Sequence, residues 1–129
     1  FMLRWPAMVK PGVSDAFVCQ MDLLASFAGL LGQTYPDKLD SRNTLKAFLG
    51  KSKKGREELV IEGMFNYAYR KGDSALIPPY RKQTEYQLYN LKEDIGQKHN
   101  LADKYPKKVK ELTDEFEALK LSTGKKTRF

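Results

Sequence analysis

Phe65-Asn66-Tyr67-Ala68-Tyr69-Arg70-Lys71-Gly72-Asp73-Ser74-Ala75-Leu76-Ile77 is the stretch that decides the fold. Phe65, Tyr67 and Tyr69 alternate with Asn66, Ala68 and Arg70, the period-two pattern of a half-buried strand. Lys71-Gly72-Asp73 supplies a turn, and Ala75 to Ile77 the returning strand. Upstream, Leu59 to Ile61 is a short apolar run. Downstream, beyond the loop Pro78-Pro79-Tyr80-Arg81-Lys82-Gln83, the run Tyr86 to Leu91 gives one more strand, so the four describe an antiparallel meander. The element that covers it begins at Pro106, a residue suited to the first helical turn, and places Val109, Leu112, Phe116 and Leu119 on one stripe at helical spacing. A small antiparallel β-sheet packed against a long C-terminal helix is an α+β layer. Lys107, Lys108 and Lys110 stand near the start of that helix and oppose its dipole, a choice with no folding rationale.

Towards the N-terminus, Phe1 to Trp5 is apolar with one arginine and is ended by Pro6 and Pro11-Gly12, as expected for a short strand running into a turn. Opening on Phe-Met-Leu reads as a segment of a longer polypeptide. From Asp22 to Gly32, Leu23, Leu24, Phe27, Leu30 and Leu31 recur at helical spacing, with Asp22 as cap and Gly32 as stop. This helix is expected to bury one broad face, and Gly29 inside it to pack closely on another backbone. A polar loop from Gln33 to Arg42 leads into a shorter helix, Asn43 to Leu49, closed by Gly50. Lys51-Ser52-Lys53-Lys54-Gly55-Arg56 then reads as a solvated loop. The chain accordingly divides into a terminal strand-helix segment, residues 1–50, and a sheet-plus-helix subdomain, residues 51–129.

A chain of 129 residues, 41% hydrophobic, suits one compact domain or a domain plus a docking segment. No apolar run is long enough to span a membrane. The net charge of +7 and a pI near 9.4 favour anionic partners. Lys and Arg are nevertheless interspersed with carboxylates, and the densest basic group, Lys125, Lys126 and Arg128, lies in an expected frayed tail, so no nucleic-acid partner is expected. Cys19 is the only cysteine and His99 the only histidine. An intrachain disulfide, a multi-cysteine metal site and a histidine-rich centre are thereby excluded.

Taken in order, Leu3-Arg4-Trp5-Pro6-Ala7-Met8-Val9-Lys10-Pro11-Gly12 and Met21-Asp22-Leu23-Leu24-Ala25-Ser26-Phe27-Ala28-Gly29-Leu30-Leu31-Gly32 resemble a stretch late in the catalytic domain of type I, formylglycine-dependent sulfatases of the alkaline phosphatase superfamily. Tyr69-Arg70-Lys71-Gly72-Asp73 looks like that family's hairpin turn. Glu85 to Gln97, then Asn100-Leu101-Ala102 and Tyr105-Pro106, is similar to its leucine-tyrosine-aspartate-leucine and asparagine-leucine-alanine signature. The blocks are collinear from Leu3 to about Leu119. The pattern departs at Ala7, Ser74, Ala75, Ile95 and Gln97, which loosens the match to any subfamily.

The resemblance implies that residues 1–50 are the last strand-helix unit of the α/β catalytic domain, and that residues 51–129 are the C-terminal subdomain, docked on the upstream catalytic domain. It also implies a sulfated small molecule or glycan as substrate of the parent, a sulfuric ester hydrolase of a family whose members are often found in the periplasm, the exterior or the lysosome, which leaves the localisation of this chain open. Calcium and formylglycine are expected upstream, and no cofactor in this segment. Cys19 is followed by Gln20, Met21, Asp22 and Leu23, out of register with the Cys/Ser-X-Pro/Ala-X-Arg motif, so it is read as a small buried residue and no catalytic residue or metal ligand is assigned. Asp22 is read as a helix cap, Asp73 as a turn residue and Glu93-Asp94 as a solvated turn. Candidate substrate-binding residues are Tyr80, Arg81 and Lys82, an aromatic and two cations on a loop of the C-terminal subdomain, which the resemblance implies can border the mouth of the cleft, and His99, a loop histidine able to meet a sugar or anion. The segment alone is expected to be inactive and to self-associate through exposed apolar surface. The rival reading is a stand-alone basic module for acidic glycans; hydrolysis of phosphate esters by the parent also stays open.

Overall fold

A computed structural model of the chain describes residues 1–36, 39–64 and 66–122. Phe65 and the tail cations Lys125, Lys126 and Arg128, invoked above, lie outside the described residues. The chain divides into two compact units, Phe1–Glu57 and Glu58–Phe129.

The second unit is the expected meander. Strands β1 (Glu58–Glu62), β2 (Tyr67–Lys71), β3 (Ser74–Ile77) and β4 (Gln87–Asn90) form one antiparallel sheet in the order β1-β2-β3-β4. Its register places Val60 opposite Tyr69, Tyr69 opposite Leu76 and Leu76 opposite Leu88, a single row of side chains across all four strands. Helix α3 (Pro106–Ser122) lays Leu112 and Phe116 on that row, with Val109 and Leu119 at its margins. Tyr69, Leu76 and Leu112 are fully enclosed. The period of two in the strands and of 3.6 in the helix thus bring their apolar positions to one core. Leu59, Ala75 and Tyr89, on the opposite face, are buried as well.

Tyr69 carries a polar group into this core. Its hydroxyl donates to Glu58 Oε2 at 2.8 Å and lies 3.4 Å from Glu115 Oε2, while Lys71 Nζ pairs with Glu115. Burial, then the hydrogen bond and charge of Glu58 and the charge of Glu115, push the phenol well above its ordinary pKa.

The first unit departs from expectation in several places. Phe1–Trp5 is not a strand: among the described residues nothing pairs with it, and the Trp5 carbonyl instead accepts the N–H groups of Met8 and Val9, turning the chain at Pro6. A strand is held by its ladder, and without a neighbour the apolar run has no extended form to keep. The ring of Phe1 lies 5.3 Å from that of Phe48.

The second departure concerns the helix. A 3₁₀ turn (Gln20–Asp22) leads into α1 (Leu23–Leu30), which ends with Gly32 at φ +65° and paired bonds from Gly32 N–H to Gly29 O and from Gln33 N–H to Ala28 O. The apolar stripe is not its buried face in this unit: Leu24, Phe27 and Leu31 are 54%, 51% and 71% exposed. The buried side is Asp22, Ala25 and Ser26. Polar bonds seat it on the following loop, because Ser26 Oγ accepts the Thr44 N–H and Ser41 Oγ accepts the Ala25 N–H.

Third, Gly29 is tight against a side chain, not a backbone, since a Cβ there would collide with the amide of Asn43. Helix α2 (Leu45–Phe48) and Gly50, at φ +67°, follow as expected. The close backbone approach occurs at Gly55, where a Cβ would meet the Phe17 carbonyl. Fourth, Arg56 is not a solvated loop residue but a buried one.

Candidate functional site

Tyr80, Arg81 and Lys82 stand together on the connection between β3 and β4. Tyr80 N–H donates to Gln83 O at 2.8 Å and Gln83 N–H to Tyr80 O at 3.1 Å, closing a two-residue loop with Arg81 and Lys82 at its tip. Both cations are exposed and Tyr80 is half-buried. The Tyr80 ring stands edge-on to Tyr67, with centroids 5.2 Å apart at 81°, and Tyr67 lies 6.0 Å from Phe116 in the core. The guanidinium carbon of Arg81 sits 5.1 Å from the Tyr80 centroid. The loop thus presents two positive charges on an aromatic base tied to the hydrophobic core.

His99 lies elsewhere, on the loop after β4, with its side chain 80% exposed. Asp94 organises that loop. One carboxylate oxygen accepts the N–H groups of Lys98 and His99, both at 2.8 Å, with His99 Nδ1 3.4 Å away. Those backbone bonds, the His99 one first, hold the Asp94 carboxyl below its ordinary pKa. Glu93-Asp94 forms the turn expected after β4, with Glu93 exposed, while Asp94 is only partly solvated and anchors the loop that follows.

Asn100-Leu101-Ala102 has a structural account. Asn100 Oδ1 accepts the N–H groups of Leu88 and Ala102, each at 3.0 Å, and its Nδ2 donates to Tyr86 O. Leu101 N–H donates to Leu88 O, and Ala102 is buried in the core. The asparagine side chain thus serves as the neighbour that the outer edge of β4 would otherwise need. Asn100→Ala strands these backbone groups and is expected to cost about 1–3 kcal/mol. Urea unfolding and faster amide exchange at Leu88 and Ala102 would show it, and unchanged exchange there would refute the clip.

In the first unit the sequence reading missed the most polar buried constellation. Asp22 makes no capping bond of its own. Its Oδ1 accepts the Arg42 N–H, and both of its oxygens take the Arg56 guanidinium through Nε and Nη2, each at 2.8 Å. Arg56 also donates to the Asp40 carbonyl. The side chains are 0% and 5% exposed. Burial works against the Arg56 charge, yet the hydrogen bond and charge of Asp22 outweigh it, so its pKa lies above the ordinary value. The cap duty passes to Ser41, at the third residue of α1. Nothing local in the sequence signals a pair 34 positions apart. Cys19, immediately before the 3₁₀ turn, is half-buried where it was expected buried.

Among the described residues no helix is long and apolar enough to cross a membrane, and no group of three or more His, Cys, Asp or Glu is placed to hold a metal ion.

No protein-family model matches the chain. It is 36% identical over 136 residues to the N-acetylgalactosamine-6-O-sulfatase of Bacteroides thetaiotaomicron, covering 93% of this chain and 27% of that protein. A solved structure concerned with metabolism of multiple glycosaminoglycans by Bacteroides thetaiotaomicron superposes with a TM-score of 0.82 at 34% identity, over 92% of this chain and 28% of the other. Another, in complex with its substrate D-glucosamine-2-N,6-O-disulfate, gives 0.71 at 25% identity, over 96% and 28%. The four-stranded sheet with its C-terminal helix is the α+β subdomain that these relatives share. The chain matches the C-terminal portion of a sulfatase. It spans about a quarter of the length of the relatives it matches.

Proposed function

We propose that the whole protein is a sulfuric ester hydrolase acting on a sulfated glycan, and that this portion supplies scaffold and part of the substrate-cleft border. Identity of 36% over 93% of the chain to an N-acetylgalactosamine-6-O-sulfatase carries this reading. Within the chain, the exposed cations of the Tyr80–Gln83 loop suit an anionic sugar, with His99 a second candidate contact. Formylglycine and calcium belong to the proposal for the remainder of the protein.

The full-length polypeptide, incubated with N-acetylgalactosamine 6-sulfate or N-acetylglucosamine 6-sulfate, is expected to release inorganic sulfate, whereas residues 1–129 alone release none. Release of phosphate from 4-nitrophenyl phosphate with none of sulfate from any sulfated sugar would overturn the reading in favour of a phosphoester hydrolase. Saccharide binding with no hydrolysis of either ester would leave the glycan-binding module.

A further inference from the structure

Two of the two-residue hairpin loops among the described residues solve the same backbone problem differently. Between β2 and β3, Lys71 pairs with Ser74, and the first loop residue is Gly72 at φ +55°. Between Tyr80 and Gln83 the first loop residue is Arg81 at φ +52°. A left-handed backbone disfavours any residue with a Cβ, which is why glycine is the usual occupant of such a position. At Gly72 the chain uses it. At Arg81 it keeps a long cation in a conformation that folding alone would assign to glycine, and such outliers concentrate where a side chain is needed for binding.

What surrounds Arg81 indicates the ligand. Its guanidinium rests over the Tyr80 ring, held edge-on by Tyr67, so the fork is positioned on a platform and not left to wander in solvent. Lys82 adds a second exposed charge beside it. Gln83 donates its amide N–H to the Glu85 carbonyl. Its Oε1 is buried with no hydrogen-bond partner among the described residues. A planar cation able to make two parallel bonds, seated on an aromatic base beside a second cation, matches an oxyanion-bearing sugar.

We infer that the Tyr80–Gln83 loop is a binding site for an anionic substituent on a sugar ring, a sulfate ester or a carboxylate, with Arg81 as its principal ligand. The choice of a sugar as carrier rests on the sulfated-glycan reading above.

Calorimetric titration of the full-length polypeptide with three probes tests this: a chondroitin 6-sulfate disaccharide, the same disaccharide without sulfate, and N-acetylgalactosamine 6-sulfate. Arg81→Gly removes the guanidinium while relieving the left-handed backbone, so Kd is expected to rise at least tenfold for the probe carrying the recognised group, with Tm unchanged or higher. Loss of affinity for the desulfated disaccharide identifies the carboxylate, and loss confined to the sulfated probes identifies the sulfate. An unchanged Kd for every probe overturns the assignment, as does weaker binding accompanied by a lower Tm. Arg81→Gln, which keeps the side-chain length and removes the charge, must weaken binding as well; unaffected affinity there overturns the assignment independently. Sulfate release measured on the same samples separates the two readings. Binding that depends on Arg81 without any sulfate release defeats only the hydrolase, and release with Arg81-independent binding defeats only the loop site.

Discussion

Arg56→Met is expected to lower the stability of the 129-residue chain's first unit by about 3–5 kcal/mol, the range for removing one partner of a buried ion pair. The substitution preserves much of the side-chain volume, so packing loss is small; the dominant effect is that Asp22, fully buried, loses the cation bound to both its oxygens. The Asp40 carbonyl loses a donor at the same time. Trp5, the chain's one tryptophan, lies in this unit and reports its unfolding by fluorescence in guanidinium chloride. The companion variant Asp22→Asn keeps an acceptor for the Arg42 N–H but not the charge, and the double variant completes a thermodynamic cycle. A loss below about 1 kcal/mol for Arg56→Met, the scale of a surface ion pair, would mean that the pair does not hold the unit together.

Phe116→Ala is expected to cost the second unit about 3–5 kcal/mol, as for a large aromatic removed from a packed core. Phe116 is 2% exposed and lies within 6.0 Å, ring to ring, of both Tyr67 and Tyr69. It is the residue by which α3 grips the sheet, and Tyr67 in turn supports Tyr80, so the variant should also loosen the platform under Arg81. Urea unfolding followed by circular dichroism measures the first effect. Phe116→Leu, which leaves a smaller cavity, should fall well short of the alanine loss; equal losses would place the cost elsewhere than in packing.

These two residues mark the boundary between what could be read in advance and what could not. Phe116 was legible because its role follows from period: Val109, Leu112, Phe116 and Leu119 recur on one helical face, and Tyr67 and Tyr69 on one strand face, so each element states which side it buries. The hairpin at Gly72 was legible because left-handed backbone selects glycine. The hairpin at Arg81 was recognised as a loop of interest from its residue types, but its left-handed tip was hidden, since arginine is not a residue that announces such a turn. The stripe Leu24, Phe27 and Leu31 was visible in the sequence, yet periodicity shows only that a helix has an apolar face and says nothing of what covers it.

By itself the sequence determined the antiparallel meander, the long covering helix and the sulfatase kinship, because local periods and collinear motifs are properties of neighbouring residues. Only the tertiary structure decided that Asp22 would bind Arg56 instead of capping its helix, that Ser41 would take over the cap, and that Phe1–Trp5 would remain unpaired among the described residues. Phe1–Trp5 lacks a neighbouring strand; for Asp22 and Ser41 the physical reason is shared. Short polar side chains have several partners of comparable free energy within reach of their own backbone, and which one wins depends on what the fold brings close and dehydrates, here a guanidinium 34 positions along the chain.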